Sequence, residues 1–381
     1  MLRSVATKHL FWHRDSSPLK AAQSDILVMK IGLVIYGSLD TLSGGYLYDR
    51  KLVDYLCSQG DTVEIISLPW RNYTVHLTDN FHFKLPPNLD ILIQDELNHP
   101  SLIAANAGKH AYPIISLAHH LRCSELRPKW QNAFYRVVEK KYLQSVDGFI
   151  FNSKTTKSVV HGLMVNGKPS IVAYPPTDRF GDPISEDEII ERVRSNELRI
   201  LFLGNIIKRK GLHTLLEALR LQTLDFRLDV VGSLTSEPKY AQTMQEKVKV
   251  LGLTSKVLFH GTLDNEPLIE KLKQAHVLVV PSSYEGFGIV YLEGMCYGLP
   301  AIGTTAGAAG EIISDGLDGF LIGPGDVGLL ASRLKFLKER RDILIQMSLA
   351  ARSRYLRQPN WEQTAGQIRE FLLKQIAEFA V

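Results

Sequence analysis

From Met29 onward, short apolar runs alternate with stretches of helical spacing. Lys30-Ile31-Gly32-Leu33-Val34-Ile35-Tyr36 reads as a strand. Gly44-Gly45 follows in a loop, then helical positions at Leu47, Leu52, Val53 and Leu56, a stop at Gly60, and a second strand from Val63 to Ile66. That is a βαβ unit opening a parallel sheet. Further runs at 89–93, 113–117 and 148–151 extend it to an α/β domain ending near Tyr174. Tyr174 to Glu188 combines prolines, a glycine and acids with no apolar period, and reads as a break. The alternation resumes at 199–204 and recurs at 227–231, 257–260, 276–280, 300–303 and 319–322. The predicted organisation is two successive Rossmann-like units, 29–174 and 189–358, joined by a linker at 175–188 and closed by a segment at 359–381. Residues 1–28 are polar and basic without a long apolar core. They are expected to be a disordered extension, with a transit-type leader or a misplaced start as alternatives.

Length and composition narrow the picture only a little. A chain of 381 residues exceeds one ordinary core, and 45% hydrophobic with 22% charged residues is globular. A net charge of +4 argues against a nucleic-acid partner and suits small anionic ligands. Cys57, Cys123 and Cys296 are far apart, with no metal-type spacing, which suggests a reducing, cytoplasmic setting. No apolar run approaches the ~20 residues that span a bilayer.

The chemistry gathers in the second half. Ser282 to Pro300 reads SSYEGFGIVYLEGMCYGLP and follows the apolar run Val277 to Val280. Gly286 and Gly288 permit unusual backbone angles, and helical spacing then runs from Ile289 to Tyr297. Amides of a first helical turn at the end of a parallel strand attract phosphate. Glu285 falls on the loop and Glu293 about one turn into the helix, where it can accept from sugar hydroxyls. Two solvent-facing acids at an ordinary strand–helix junction are the competing explanation. A second cluster supports the ligand site: Gly204-Asn205 ends a strand, and Lys208-Arg209-Lys210 precedes Gly211 and a helix from Leu212 to Leu219. Three cations there suit a diphosphate, a solvated basic turn being the alternative.

Together these segments resemble family 4 glycosyltransferases of the GT-B fold, a group of retaining enzymes. The resemblance rests on Glu285 and Glu293 in YEGFGIVYLE, on Gly298 to Thr304, on Ala306 to Glu311, and on Gly204 to Gly211. It extends from Met29 to about Leu373 and includes Asn360-Trp361-Glu362 before a last helix. It implies two Rossmann-like domains facing across a cleft, with that helix crossing back to the first domain. Glu285 is implied near the donor sugar, with the amides of Phe287, Gly288 and Ile289, and Glu293 on the donor ribose. Lys210 is implied on the diphosphate and Gly44-Gly45 near the donor phosphates. His119, with His120 as the alternative, is implied to face the transferred sugar. The family's arginine before the lysine is replaced by Asn205, leaving Arg209 or Lys208 to supply the charge.

The implied reaction moves a sugar from a nucleoside diphosphate to an acceptor hydroxyl with retention. The nucleotide-sugar is a co-substrate, and no cofactor or essential metal is expected. The acceptor stays open among sugar, lipid and small molecule. Asp95-Glu96 could line its pocket, capping or solvated roles being the simpler assignment. Residues 127–141 mix Trp130, Phe134 and Tyr135 with Lys129, Arg136, Lys140 and Lys141. That pattern reads either as a core helix with a solvated basic face or as a peripheral contact with the inner membrane face. A dinucleotide oxidoreductase is disfavoured because Gly37 and Gly44-Gly45 do not make G-x-G-x-x-G. A catalytically weak or inactive nucleotide-sugar binder of the same fold is the alternative that Asn205 keeps open.

Overall fold

The computed structural model describes residues 28–41, 43–164, 167–176, 178–223 and 225–379, so the extension expected at 1–28 lies outside it except for Val28. Its frame is two six-stranded sheets. The first comprises β1 (Lys30–Tyr36), β2 (Thr62–Leu68), β3 (Ile91–Asp95), β4 (Ile114–Ala118), β5 (Gly148–Phe151) and β6 (Ser170–Val172), in the order β2-β1-β3-β4-β5-β6. The second comprises β7 (Leu198–Leu203), β8 (Phe226–Val231), β9 (Val257–Gly261), β10 (Val277–Val279), β11 (Ala301–Thr304) and β12 (Gly319–Ile322), in the order β12-β11-β10-β7-β8-β9. Every pairing is parallel. Continuous apolar runs form these strands because helices cover both faces, as the fully buried β3, β4 and β5 show. In each sheet the order reverses beside its first strand, between β1 and β3 and between β7 and β10. Ligands of open parallel sheets bind at such reversals, off the carboxyl ends of the strands.

The expected break at 175–188 differs in one respect. A helix, Glu186–Val193, begins inside it, nucleated by a reciprocal cap between Ser185 and Glu188. Ile189 and Val193 then enter the core of the second sheet. Ser-x-x-Glu was visible in the chain, but the acids around it masked the short apolar period.

The last helix, Trp361–Phe379, leaves the second sheet and packs on the first. Trp361, Ala365, Ile368, Phe371 and Leu372 share a core with Ile31, Leu33 and the helix Gly44–Ser58. Arg369 clamps the buried Asp61 carboxylate through two bonds, Nε to Oδ2 at 2.7 Å and Nη2 to Oδ1 at 3.0 Å. A second tie comes from Glu311, whose carboxylate accepts from the amides of Lys154 (2.9 Å) and Thr155 (2.7 Å). These amides start the first-sheet helix Lys154–Leu163, so an acid of one half caps a helix of the other.

The helix Lys129–Ser145 buries Val138, Glu139, Tyr142 and Leu143. Its outer face exposes Trp130 (71%), Phe134 (43%) and Val137 (57%), with Lys129, Arg136, Lys140 and Lys141 also exposed. Among the described residues no helix is long and apolar enough to cross a membrane.

Arg369→Ala removes the counter-ion of the buried Asp61 carboxylate, leaving the Met29 amide bonded to Oδ1 at 2.9 Å. It should cost about 3 kcal/mol in chemical denaturation.

Candidate active site

The two reversals face each other across a cleft of about 320 Å³. On the second-sheet wall, the loops after β7 and β10 are pressed together. Gly211 takes a left-handed φ of 76°, and a Cβ there would lie 2.1 Å from the Pro281 carbonyl oxygen, so only glycine fits. This contact brings Lys210 beside Glu285, Nζ to Oε1 at 2.6 Å, while the Ser282 hydroxyl donates to the same oxygen. Arg209 stands 3.6 Å from Glu285 Oε2 and donates to the Tyr284 carbonyl at 2.7 Å. Burial would raise the Glu285 carboxyl, but Lys210 and Arg209, helped by Ser282, overcome it and hold it at about 2. The carboxylate is therefore fixed as an anion, and Lys210 remains pinned at the mouth of the helix Ile289–Cys296. Gly286 through Val290 line the cleft at that helix start.

The first-sheet wall presents Gly44, Gly45 and Tyr48 after β1, Asp95 and Glu96 after β3, His119 and His120 after β4, and Asn152 after β5. The walls touch where a Cβ on Gly286 would lie 2.5 Å from the His119 carbonyl oxygen. Ser153 caps its helix by accepting from Thr156 N at 3.0 Å and also donates to the Gly286 carbonyl at 2.9 Å. His119 Nε2 meets Oδ1 of the fully buried Asp49 at 3.1 Å. Burial opposes a charged imidazole, yet Asp49, Asp95 and Glu96 outweigh it and push His119 up to about 9. At neutral pH His119 is thus a cationic donor, unsuited to accept a proton. Burial raises Asp95 and Glu96 to about 7, Asp49 adding to the first.

Of the residues singled out in the sequence, Glu285, Lys210, His119, Gly44, Gly45, Asn205, Arg209, Phe287, Gly288 and Ile289 all line this cleft, as does His120. Glu293 does not. It lies beneath the wall, 3% exposed, and Arg179 Nη1 bonds its Oε1 at 3.1 Å while Nη2 reaches Asn265 Oδ1 at 2.9 Å. Asp95 does act as a cap, accepting from Leu97 N at 3.0 Å, but it and Glu96 are 2% and 3% exposed rather than solvated. Sequence reasoning missed Asp49 and Arg179. Asp49 left a faint signal, an acid four positions after Gly45 on the helical face that carries Leu52; Arg179 left none. Asp49, Asp95 and His119 also converge within 4.8 Å, close enough to share a cation, and the His119 imidazolium supplies a positive charge there.

Comparison with known proteins places this architecture. The family of glycosyl transferases group 1 matches residues 184–354. D-rhamnosyltransferase WbpZ of Pseudomonas aeruginosa is 30% identical over 320 residues, 82% of this chain and 77% of that protein. Glycogen synthase of Mycobacterium tuberculosis is 28% identical over 205 residues, 50% of this chain and 49% of its own length. The chain also matches an uncharacterized 41.2 kDa protein of the Klebsiella pneumoniae cps region at 26% identity, covering 56% of this chain and 58% of that protein. The chain thus spans only about half the length of several curated relatives it matches. Among solved structures, sucrose-phosphate synthase of Thermosynechococcus elongatus superposes with a TM-score of 0.79 at 19% identity, covering 92% of this chain and 100% of that one. HepE of Anabaena, solved with UDP-glucose, gives 0.70 at 18% identity, covering 91% and 100%. The fold is GT-B, and the chain belongs to the group 1 glycosyl transferases, family 4.

The Asp49–His119 pair has a measurable signature. His119 titrates above an ordinary imidazole, near ~6.5, so its contribution to stability is full below that value and lost as pH rises through about 9. The thermal midpoint should fall across this window, and fall less in Asp49→Asn. NMR titration of the ring should show the variant returning toward the ordinary imidazole value.

Proposed function

We propose that the protein is a retaining glycosyltransferase that moves a sugar from a nucleoside-diphosphate-sugar to an acceptor hydroxyl. The observation that carries this reading is the second-sheet wall, where Lys210, Arg209 and the first-turn amides at 288–290 converge beside the buried Glu285 anion. These groups suit a diphosphate at a strand-order reversal. HepE, a neighbour in fold, was solved with UDP-glucose. Asn205 stands where the family arginine is expected, and Arg209, from a different position, reaches the same wall. Glu293 lies one turn deeper, suited to ribose hydroxyls once Arg179 yields or shares its bond.

In the proposed reaction the anomeric C–O bond to the diphosphate breaks, and the departing phosphate gains negative charge. Lys210, Arg209 and the helix amides stabilise it, which is electrostatic preorganisation and requires no metal in this scheme. The acceptor oxygen attacks from the same face, and its proton passes to the leaving phosphate. His119, as a cation, donates to the sugar or the developing oxyanion rather than acting as base.

Thermal-shift measurements with UDP-, GDP- and ADP-sugars test the reading. One of them at 100 times its Kd should stabilise the protein by about 2.7 kcal/mol. Lys210→Ala should weaken that ligand about 10- to 100-fold, as a lost charge-assisted bond implies. Stabilisation without sugar transfer would indicate a nucleotide-sugar binder, and no shift with any of the three would remove the proposal.

The exposed Trp130, Phe134 and Val137, beside Lys129, Arg136, Lys140 and Lys141, support a peripheral contact with an anionic lipid surface. Flotation with phosphatidylserine vesicles should carry the protein upward at low salt, and Trp130→Ser with Phe134→Ser should abolish it.

A further inference from the structure

A group of metal-type side chains lies in the interior of the first half, reached from the cleft only through Glu96. Glu96 begins the turn Glu96–Asn98 after β3, His99 begins the helix His99–Asn106, and Glu139 lies on the buried face of the helix Lys129–Ser145. One donor atom of each lies within 4.8 Å of the others, and all three residues are buried. Glu96-x-x-His99 has the three-residue spacing that puts two side chains on one side of a helical turn. Carboxylate metal centres in helix bundles use the same pair.

Around His99 the distances are those of a coordination shell. Its Nδ1 stands 2.9 Å from the Glu96 carbonyl oxygen and 3.1 Å from Glu96 Oε1. Ligands about 2.1 Å from a common ion, set near right angles, keep such spacings from one another. A single N–H serves the carbonyl, and Glu96 Oε1 is left buried with no hydrogen-bond partner. With Nδ1 as ligand, the ring proton moves to Nε2, where the Tyr73 hydroxyl at 2.8 Å accepts it. Such an outer hydrogen bond orients a ligating imidazole. Glu139 is held from behind by the Arg122 and Cys123 amides, the latter 3.2 Å from Oε2. Between Glu96 and His99 in sequence, Asn98 is wholly buried with neither amide atom bonded.

The charges agree. Burial lifts both carboxyl groups to about 7, Glu96 adding to the lift at Glu139, and lowers His99 to about 4. At neutral pH His99 is thus an uncharged base, as a ligand must be, whereas His119 is itself the cation of its cluster. The Arg122 guanidinium is turned over the rings of Tyr73 and Tyr135, 5.0 Å from each centroid. A divalent ion would neutralise both carboxylates at once. The imidazole favours a transition metal over magnesium, which prefers oxygen ligands and keeps its waters.

The geometry points to a structural site for a divalent first-row transition ion, held by Glu96, His99, Glu139 and the Glu96 carbonyl oxygen, four donors that suit zinc best. The ion ties the loop after β3 to the helices His99–Asn106 and Lys129–Ser145, and so stiffens the wall that carries Asp95 and Glu96. It takes no part in bond breaking, and the site stands independently of the transferase reading.

The test is calorimetry with zinc, manganese(II) and magnesium chlorides on the full chain, after dialysis against a chelator. Zinc should bind at a single site and raise the thermal midpoint, and magnesium should bind at least ~100-fold more weakly. Glu139→Gln and His99→Asn should each weaken zinc about 100-fold or more, since loss of even an outer partner costs roughly 10- to 100-fold. Tyr73→Phe removes such an outer partner and should cost about tenfold; lying outside the shell, it keeps the test open should a ligand variant not fold. Circular dichroism checks the fold of each variant. No zinc binding by the unaltered chain, or magnesium binding as tight as zinc, would overturn the inference. So would zinc affinity undiminished in every folded variant, which would place the ion on other histidines.

Discussion

One carboxylate that ties the two halves together beside the cleft is central to its geometry. Glu311 belongs to the second half, yet it accepts from the first two amides of a helix in the first, from Thr155 Oγ1 at 2.6 Å and from Tyr174 OH at 3.1 Å. Arg354 in turn donates to the Glu311 carbonyl. A helix start leaves amides that need an acceptor, and here the acceptor arrives from across the interface. Both switch points are thereby held within reach of one small molecule. Without such a tie, two sheets of equal quality would carry half a site each.

Within the cleft the division of charge follows from where each loop leaves its strand. The loops after β7 and β10 bring lysine, arginine and a glutamate that is kept ionised by them. The loops after β3 and β4 bring carboxyl groups whose burial favours the proton, and a histidine whose neighbours favour its charge. Side chains of the same chemical type are thus set to opposite states within one cavity. Glu285 is held as an anion because Lys210 and Arg209 outweigh its burial, whereas at Glu96 burial outweighs the opposing pull of His120, His119 and Arg122. The architecture assigns these states through packing, and the mechanism needs no residue to change its type.

Much of this was legible in the chain. The strands at 30–36, 148–151 and 319–322 could be read to the residue, since parallel strands covered on both faces are unbroken apolar runs. Strand β6, with three half-buried residues, is too short and too weakly apolar to announce itself. The second-wall residues were legible because glycines, cations and acids mark loops at fixed spacing from strand ends, although Lys210 and Glu285 meet across 75 positions. Asp49 and Arg179 were not, because no such loop pattern marks them and their partners lie 70 and 114 positions away. Position along a helix predicts a neighbour one turn off, and says nothing about a distant partner. The same limit applies to Asp95 and Glu96: local chemistry indicated a cap, and only tertiary closure removed them from water.

The polypeptide passes between the halves twice, once outward through the segment around Arg179 and once back before Trp361. The two passages are neighbours, with the Trp361 amide directed at Asp178 Oδ2 at 3.5 Å. Two crossings this close together leave both chain connections between the halves on one side of the molecule. Arg179, beside these crossings, bonds Glu293 beneath the donor wall, so the outward passage is anchored to the floor of the second half.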